Sequence, residues 1–382
     1  MNTIDRCQIV ATKLYGYDWW PTQAEPDRRP YEVAADALAE AGTSLVLVQN
    51  QLDPMPASDV QQLPPEGEYD DLRLREVLRD RGIRCFEATS MFFQPDVYRE
   101  RPDLHPVGAD GTEHVPIGWY VGLCPSSEEY LERRARQLQQ VAADMRADGL
   151  FLDFIRFPGF WEEWTPGTER AAIREYCFCP RCRQRFAVQT GIKLPADPGR
   201  AAAILQGPLR DEWTAWKCEL IATTVRRVRE AVTQIAPGTE IMINLVPPFT
   251  GSDLDGIGEE VLGQRAESLA TVAEHFAVMV YHQILKRRPR DWIPAVVTTL
   301  RNRTARTIIP CLQVRPTYLD GIYAHARRNP DIGPEEFGEC VTAVAASPAD
   351  GIMTYHWSDV LAEDATSNGQ YSAALREFAG RP

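Results

Sequence analysis

Eight short runs of β-branched and other apolar residues recur along the chain. Each is bounded by turn residues and followed by a stretch with apolar residues near helical spacing. The runs are QIVATKLYGY (8–17), SLVLVQN (44–50), RCFEATSMFF (84–93), GLFLDFIRF (149–157), EIMINLVP (240–247), FAVMVYHQI (276–284), TIIPCLQV (307–314) and GIMTYHW (351–357). Between them lie amphipathic stretches such as YEVAADALAEAG and SEEYLERRARQLQQVAADMRADG, several ending in glycine, which takes the left-handed helix-stop conformation without a Cβ clash. Strands that are apolar throughout are buried on both faces, and in strand–helix alternation this means a parallel sheet covered by helices. Eight such units close a sheet on itself. The expected fold is therefore α/β, a (β/α)8 TIM barrel.

A chain of 382 residues accommodates two average domains or one elaborated barrel. No internal repeat, low-complexity tract or separating linker is visible, so 1–382 reads as a single barrel, with 158–210 as an inserted loop region. Long connections follow strands 1 to 5, above all strands 3, 4 and 5, and barrel enzymes build their sites from the loops after the strands. Hydrophobic residues at 44% and charged residues at 25% exclude wholesale disorder. A net charge of -13 argues against nucleic acid or an anionic membrane as partner and favours a neutral or cationic ligand. The N-terminal MNTIDRCQIVATKLYGYDWW lacks the pattern of a signal peptide and no window is long and apolar enough for a membrane span, so a cytoplasmic protein is expected. The acidic surface and several tryptophans leave room for a homo-oligomer.

Nine cysteines are an odd number and do not form a secreted disulfide framework. Cys7, Cys85, Cys218, Cys311 and Cys340 stand singly among apolar neighbours and read as small buried hydrophobes. EYCFCPRCRQRF (175–186) differs, with Cys177, Cys179 and Cys182 in C-x-C-x-x-C spacing. A disulfide between Cys177 and Cys179 is strained by so short a span, whereas a metal suits it. Tetrahedral zinc needs one more ligand, for which Cys124 and Cys218 are the candidates, and a full set of thiolates makes the site structural. The alternative is a set of reduced loop thiols without metal. No G-x-S-x-G elbow, Walker A loop, H-E-x-x-H pair or G-x-G-x-x-G turn is present, so no organic cofactor is expected.

Strand 4 ends in LDFIRFPG, placing Asp153 where a barrel strand emerges at its catalytic face. A carboxylate there is solvated, paired or used. Pairing with Arg156 is one reading and a catalytic role the other. Carboxyl groups able to work with it are Asp18, Asp53, Glu87, Glu162, Glu163, Asp253, Asp255, Glu259 and Asp359. The long acidic loop NLVPPFTGSDLDGIGEE after strand 5 favours Asp255 or Glu259. Glu87 has the alternative of a core-facing residue paired to a neighbour. Other strand ends carry residues suited to a sugar, aromatics for its C–H faces and amides, His and Arg for its hydroxyls. These are Tyr15, Tyr17, Asp18, Trp19 and Trp20; Gln49 and Asn50; Asn244; Tyr281, His282 and Gln283; Gln313 and Arg315; and His356 and Trp357.

The succession LCPSSEEY, DGLFLDF and CFCPRCRQRF resembles the β-galactosidases of glycoside hydrolase family 42, where a Cys before the strand 4 helix joins a C-x-C-x-x-C group to bind zinc. Carried over, the ligands are Cys124, Cys177, Cys179 and Cys182. Across about residues 120–235 the run CPSSEEY, DGLFLDF, YCFCPRCRQRF and GIKLP resembles more closely the group called hypothetical glycosyl hydrolase 6, related to α-L-fucosidases. That resemblance implies a retaining glycosidase with Asp153 as nucleophile. Family 42 carries its acid/base Glu two residues beyond the matching Asp, where this chain has Ile155, which counts against β-galactosidase activity. The expectation is a retaining glycoside hydrolase acting on a small glycoside or oligosaccharide. A catalytically silent barrel that binds carbohydrate or a protein partner is the second reading.

Overall fold

The computed structural model describes residues 8–17, 19–20, 29–50, 52–53, 70–249, 254–316 and 331–380. All eight expected strands are present: β1 (Ile9–Leu14), β2 (Leu45–Gln49), β3 (Arg84–Ser90), β4 (Gly149–Asp153), β5 (Glu240–Leu245), β6 (His275–Met279), β7 (Thr307–Gln313) and β8 (Gly351–Tyr355). They pair in parallel, each with the next, and β8 closes on β1. The fold is a (β/α)8 barrel.

Side chains alternate across each strand with a period of two, so one parity fills the barrel and the other meets the helices. Ala11, Leu47, Phe86, Phe151, Met242, Ala277, Ile309 and Met353 form one buried cluster, inside the barrel. Val10, Val46, Cys85, Leu150, Ile241, Phe276, Ile308 and Ile352 belong to the other, under the helices. Both faces are apolar, which is why the strands read as continuous hydrophobic runs. At the start of β4, Gly149 leaves the space that the Phe86 ring occupies: a Cβ there meets the ring at 2.5 Å.

The helix Glu128–Asp144 shows how local sequence sets the scaffold. Ser127 caps it, its hydroxyl accepting from the Tyr130 amide, and Glu128 and Glu129 complement the positive end of the helix dipole. Tyr130, Leu131, Arg134, Ala135, Leu138 and Ala142 recur at three- and four-residue spacing and are buried. Arg134, on that face, reaches the β3 end to donate to Asp53 and Thr89.

Long excursions follow β3, before the helix Glu128–Asp144, and β4, before the helix Pro180–Thr190. The connection after β5 is shorter, ending at the helix Ile257–Leu262.

Candidate active site

At the C-terminal mouth of the barrel is a cavity of about 500 Å³. The inward parity brings Lys13, Gln49, Ser90, Asp153, Asn244 and Tyr355 to its floor. Phe93, Trp119 and Phe154 form an aromatic wall, with ring centroids 4.9 Å apart for Phe93 and Phe154 and 5.5 Å for Phe93 and Trp119. Such a surface suits the C–H face of a pyranose.

Asp153 ends β4 and is 8% exposed. Its Oδ1 accepts from the Phe154 amide at 2.8 Å and from Asn244 Nδ2 at 2.9 Å. Among the described residues Oδ2 has no donor, so one oxygen is held while the other is open for reaction. Phe154 has φ 47°, a left-handed conformation uncommon for a residue with a Cβ, and the turn both aims its amide at Asp153 and sends its ring to the wall. Gln264 stitches the strand ends together. Its amide donates to Asn244 O at 3.0 Å and Ile155 O at 3.3 Å, and its carbonyl accepts from Val246 N at 3.0 Å.

Glu162 is a further carboxyl lining this cavity. It sits on a 3-10 turn, Trp161–Glu163, anchored by the fully buried Trp161 ring against Tyr281, centroids 5.9 Å apart. It is 4% exposed and lines the same cavity as Asp153. Burial pushes its carboxyl up to about 7; the charge of Asp153 adds to the rise and Arg156 opposes it. A carboxyl that keeps its proton near neutrality beside a hydrogen-bonded carboxylate is an acid next to a nucleophile or base.

Asp255 and Glu259, the carboxyls favoured from the loop after strand 5, are not part of this cavity. They line a separate hollow with Phe249 and Arg303. Glu259 is held by Arg265 at 2.6 Å and Arg303 at 2.7 Å. Glu259 and Glu260 of that loop are used in ion pairs with Arg265, Arg303, Arg170 and Arg210.

Several expected sugar-binding residues stand one position out of phase. Glu87 has outward parity and takes a bidentate pair from Arg75, both bonds 2.9 Å, under the helix Asp71–Arg79. His282 likewise turns outward to Glu336 at 2.7 Å and to Cys340. Asn50 donates to Ala88 O and accepts from Leu52 N, tying the β2 loop rather than facing the cavity. Gln313 faces inward but is fully buried, with Ile284 N on its Oε1 at 3.4 Å. Trp19 and Trp357 are core residues, and Trp20 packs on Trp19 edge to face. His356 lines a neighbouring hollow with Arg315 and Asp359, and burial holds it down at about 4. Asp18 and Asp253 lie outside the described residues.

Of the expected set the cavity does collect Tyr15, Gln49, Asp153, Arg156, Glu162, Asn244 and Tyr281, and it adds Lys13, Phe93, Trp119 and Phe154. Asp53 also lines it, but accepts from Ser90 N, Thr89, Gln94 and Arg134 and braces the β3 end. Lys13 was findable, because it falls two residues from the inward Ala11.

The four cysteines meet as the resemblance implies. The sulfurs of Cys124, Cys177, Cys179 and Cys182 lie within 4.8 Å of one another, all buried. Cys124 Sγ is 3.5 Å from Cys182 and 3.7 Å from Cys179, close to the edge of about 3.8 Å that a tetrahedron of 2.3 Å Zn–S bonds requires. The Val107 amide donates to Cys177 Sγ, and the Cys182 amide to Cys179 Sγ at the N-terminus of the helix Pro180–Thr190. Arg181 stands beside the group, its Nε donating to Ser126 Oγ at 3.0 Å. Hydrogen bonds from the other three cysteines hold the Cys124 thiol well below its usual range. This donor set fits a four-coordinate metal with no ligand position left over.

No family model matches the chain, and no curated protein matches it in sequence. Solved structures share its fold. The glycoside hydrolase domain of PgaB (BpsB) from Bordetella bronchiseptica aligns over 97% of this chain and 98% of its own, with TM-score 0.64 and 17% identity. A polyextremophilic β-galactosidase from the Antarctic haloarchaeon Halorubrum lacusprofundi aligns over 98% of this chain, with TM-score 0.63 and 14% identity. The α-L-fucosidase isoenzyme 2 of Paenibacillus thiaminolyticus aligns over 97%, with TM-score 0.57 and 16% identity. This chain spans 58% of the β-galactosidase and 49% of the fucosidase.

Proposed function

We propose that the chain is a retaining glycoside hydrolase with Asp153 as nucleophile and Glu162 as acid/base, acting on a small glycoside or oligosaccharide. The observation that carries this reading is that Asp153 and Glu162 line one cavity, the first held by two hydrogen-bond donors on Oδ1, the second pushed up to about 7 by burial. The glycoside hydrolases among the structural neighbours support the same class.

In this mechanism Asp153 Oδ2 attacks the anomeric carbon as Glu162 gives its proton to the departing glycosidic oxygen. The C–O bond breaks and a glycosyl ester forms on Asp153. Glu162, now a carboxylate, takes a proton from water, which attacks the same carbon and releases Asp153. Asn244 and the Phe154 amide orient the nucleophile throughout. Cys124, Cys177, Cys179 and Cys182 would hold a structural zinc, which would brace the excursion after β4 that carries Glu162.

The anomeric configuration of the first-formed sugar, followed by proton NMR during hydrolysis of an aryl glycoside, tests the assignment. Retention is expected. Inversion would remove Asp153 from the nucleophile's role, because an inverting site activates water directly.

A further inference from the structure

Two cations line the cavity without an ion pair. Lys13 is 8% exposed, and its ammonium has neither a hydrogen bond nor a salt bridge among the described residues. It is carried between two rings, 5.1 Å from the Tyr15 centroid and 5.6 Å from that of Tyr355. Its Nζ is not sealed in the protein, so it reaches the cavity's open space. Arg156 is 2% exposed, lies over Phe154 at 4.6 Å, and its Nε and Nη1 are buried with no acceptor among the described residues.

Burying a charge without a partner costs several kcal/mol, so such groups are held for a ligand or neutralised. Against the rise that burial causes, Lys13 lowers the Asp53 carboxyl and Arg156 that of Glu162 through charge, but none of these carboxyls forms an ion pair with either cation among the described residues. Asp53 is already engaged by Arg134 at 3.1 Å. Neither Asp153 nor Glu162 comes within ion-pair distance of Lys13 or Arg156 among the described residues.

We propose that the substrate's sugar carries an anionic substituent, a carboxylate or a sulfate ester, and that Lys13 is the residue that selects it. This rests on the glycosidase reading and specifies its substrate class. An ammonium on a ring-walled stem supplies a point charge for either anion, and the Arg156 guanidinium adds to the positive field. The chain's net charge of -13 pointed instead to a neutral or cationic ligand. That total is spread over the surface, whereas recognition depends on the field inside the cavity.

The test compares matched aryl glycosides that are neutral, that carry a C6 carboxylate, and that carry a C6 sulfate, with wild type, Lys13→Met and Lys13→Arg. The wild type should prefer one anionic glycoside over its neutral counterpart by at least about tenfold in kcat/KM, and the arm that responds names the anion. Lys13→Met should abolish that preference through KM, and Lys13→Arg should restore most of it. Circular dichroism melting establishes that each variant is folded. Hydrolysis of neutral glycosides with no anionic preference would overturn the inference and leave the glycosidase reading standing. If no glycoside is cleaved, calorimetric binding of glucuronate against glucose to the wild type and Lys13→Met decides. Lys13-dependent preference for glucuronate supports the inference without catalysis, and equal or absent binding of both overturns it.

Discussion

Asn244 Nδ2 donates to Asp153 Oδ1 at 2.9 Å across the ends of β5 and β4. One strand thus aims the carboxyl of its neighbour, and Gln264 fixes Asn244 in turn through its backbone carbonyl. Asn244→Ala leaves Oδ1 with the Phe154 amide alone. The expected result is a fall in kcat of about 10- to 100-fold with KM little changed, measured by steady-state kinetics. A change confined to KM would make Asn244 a substrate contact instead of a positioning residue.

In the proposed mechanism Glu162 acts first as an acid, so it must be protonated when substrate binds. With its carboxyl raised to about 7, kcat/KM should fall as pH rises through that value. Glu162→Gln removes this limb. For substrates with poor leaving groups it costs about 10²- to 10⁴-fold, and far less for activated aryl leaving groups that need no proton. A basic limb unchanged in Glu162→Gln would assign the titration to another group.

The same shift affects stability. Between pH 4.5, its ordinary value, and about 7, folded Glu162 binds more proton than the unfolded chain does, so its contribution weakens as pH rises through that window. The full loss is roughly 3 kcal/mol at 1.36 kcal/mol per pH unit, an order of magnitude. Glu162→Gln should therefore raise the melting temperature at pH 8 relative to wild type, and much less so at pH 4.5. Equal shifts at both pH values would contradict a buried, proton-retaining carboxyl.

The sulfurs of Cys124, Cys177, Cys179 and Cys182 lie within 4.8 Å of one another, a candidate metal site. Elemental analysis should find one zinc per chain, and Cys182→Ser should lower both occupancy and melting temperature. Chelation should act on thermal stability before it acts on the rate at low temperature. Protein with no metal and an unchanged melting curve in Cys182→Ser would make the cluster a set of buried thiols.

The eight strands were legible because a parallel barrel demands runs apolar on both faces. The site was legible where parity is simple. Asp153 and Asn244 sit at inward positions of well-defined strands. Glu87, Asn50 and His282 lie one residue beyond inward positions, and a one-residue offset sends the side chain to the opposite face. Glu162 was harder to read. Its place in the cavity depends on Trp161 packing against Tyr281, more than a hundred residues away in sequence, and nothing local distinguishes it from Glu163. The cysteine cluster was readable from spacing for three members, while Cys124 needed the resemblance.

The most direct test of Asp153 as the nucleophile of a glycosidase is hydrolysis of a panel of aryl α- and β-glycosides, neutral and anionic, by wild type and Asp153→Asn side by side. The wild type should turn over at least one of them, and Asp153→Asn, folded by its melting curve, should lose at least about 10³-fold in kcat. Turnover that survives in Asp153→Asn at a comparable rate would contradict the account.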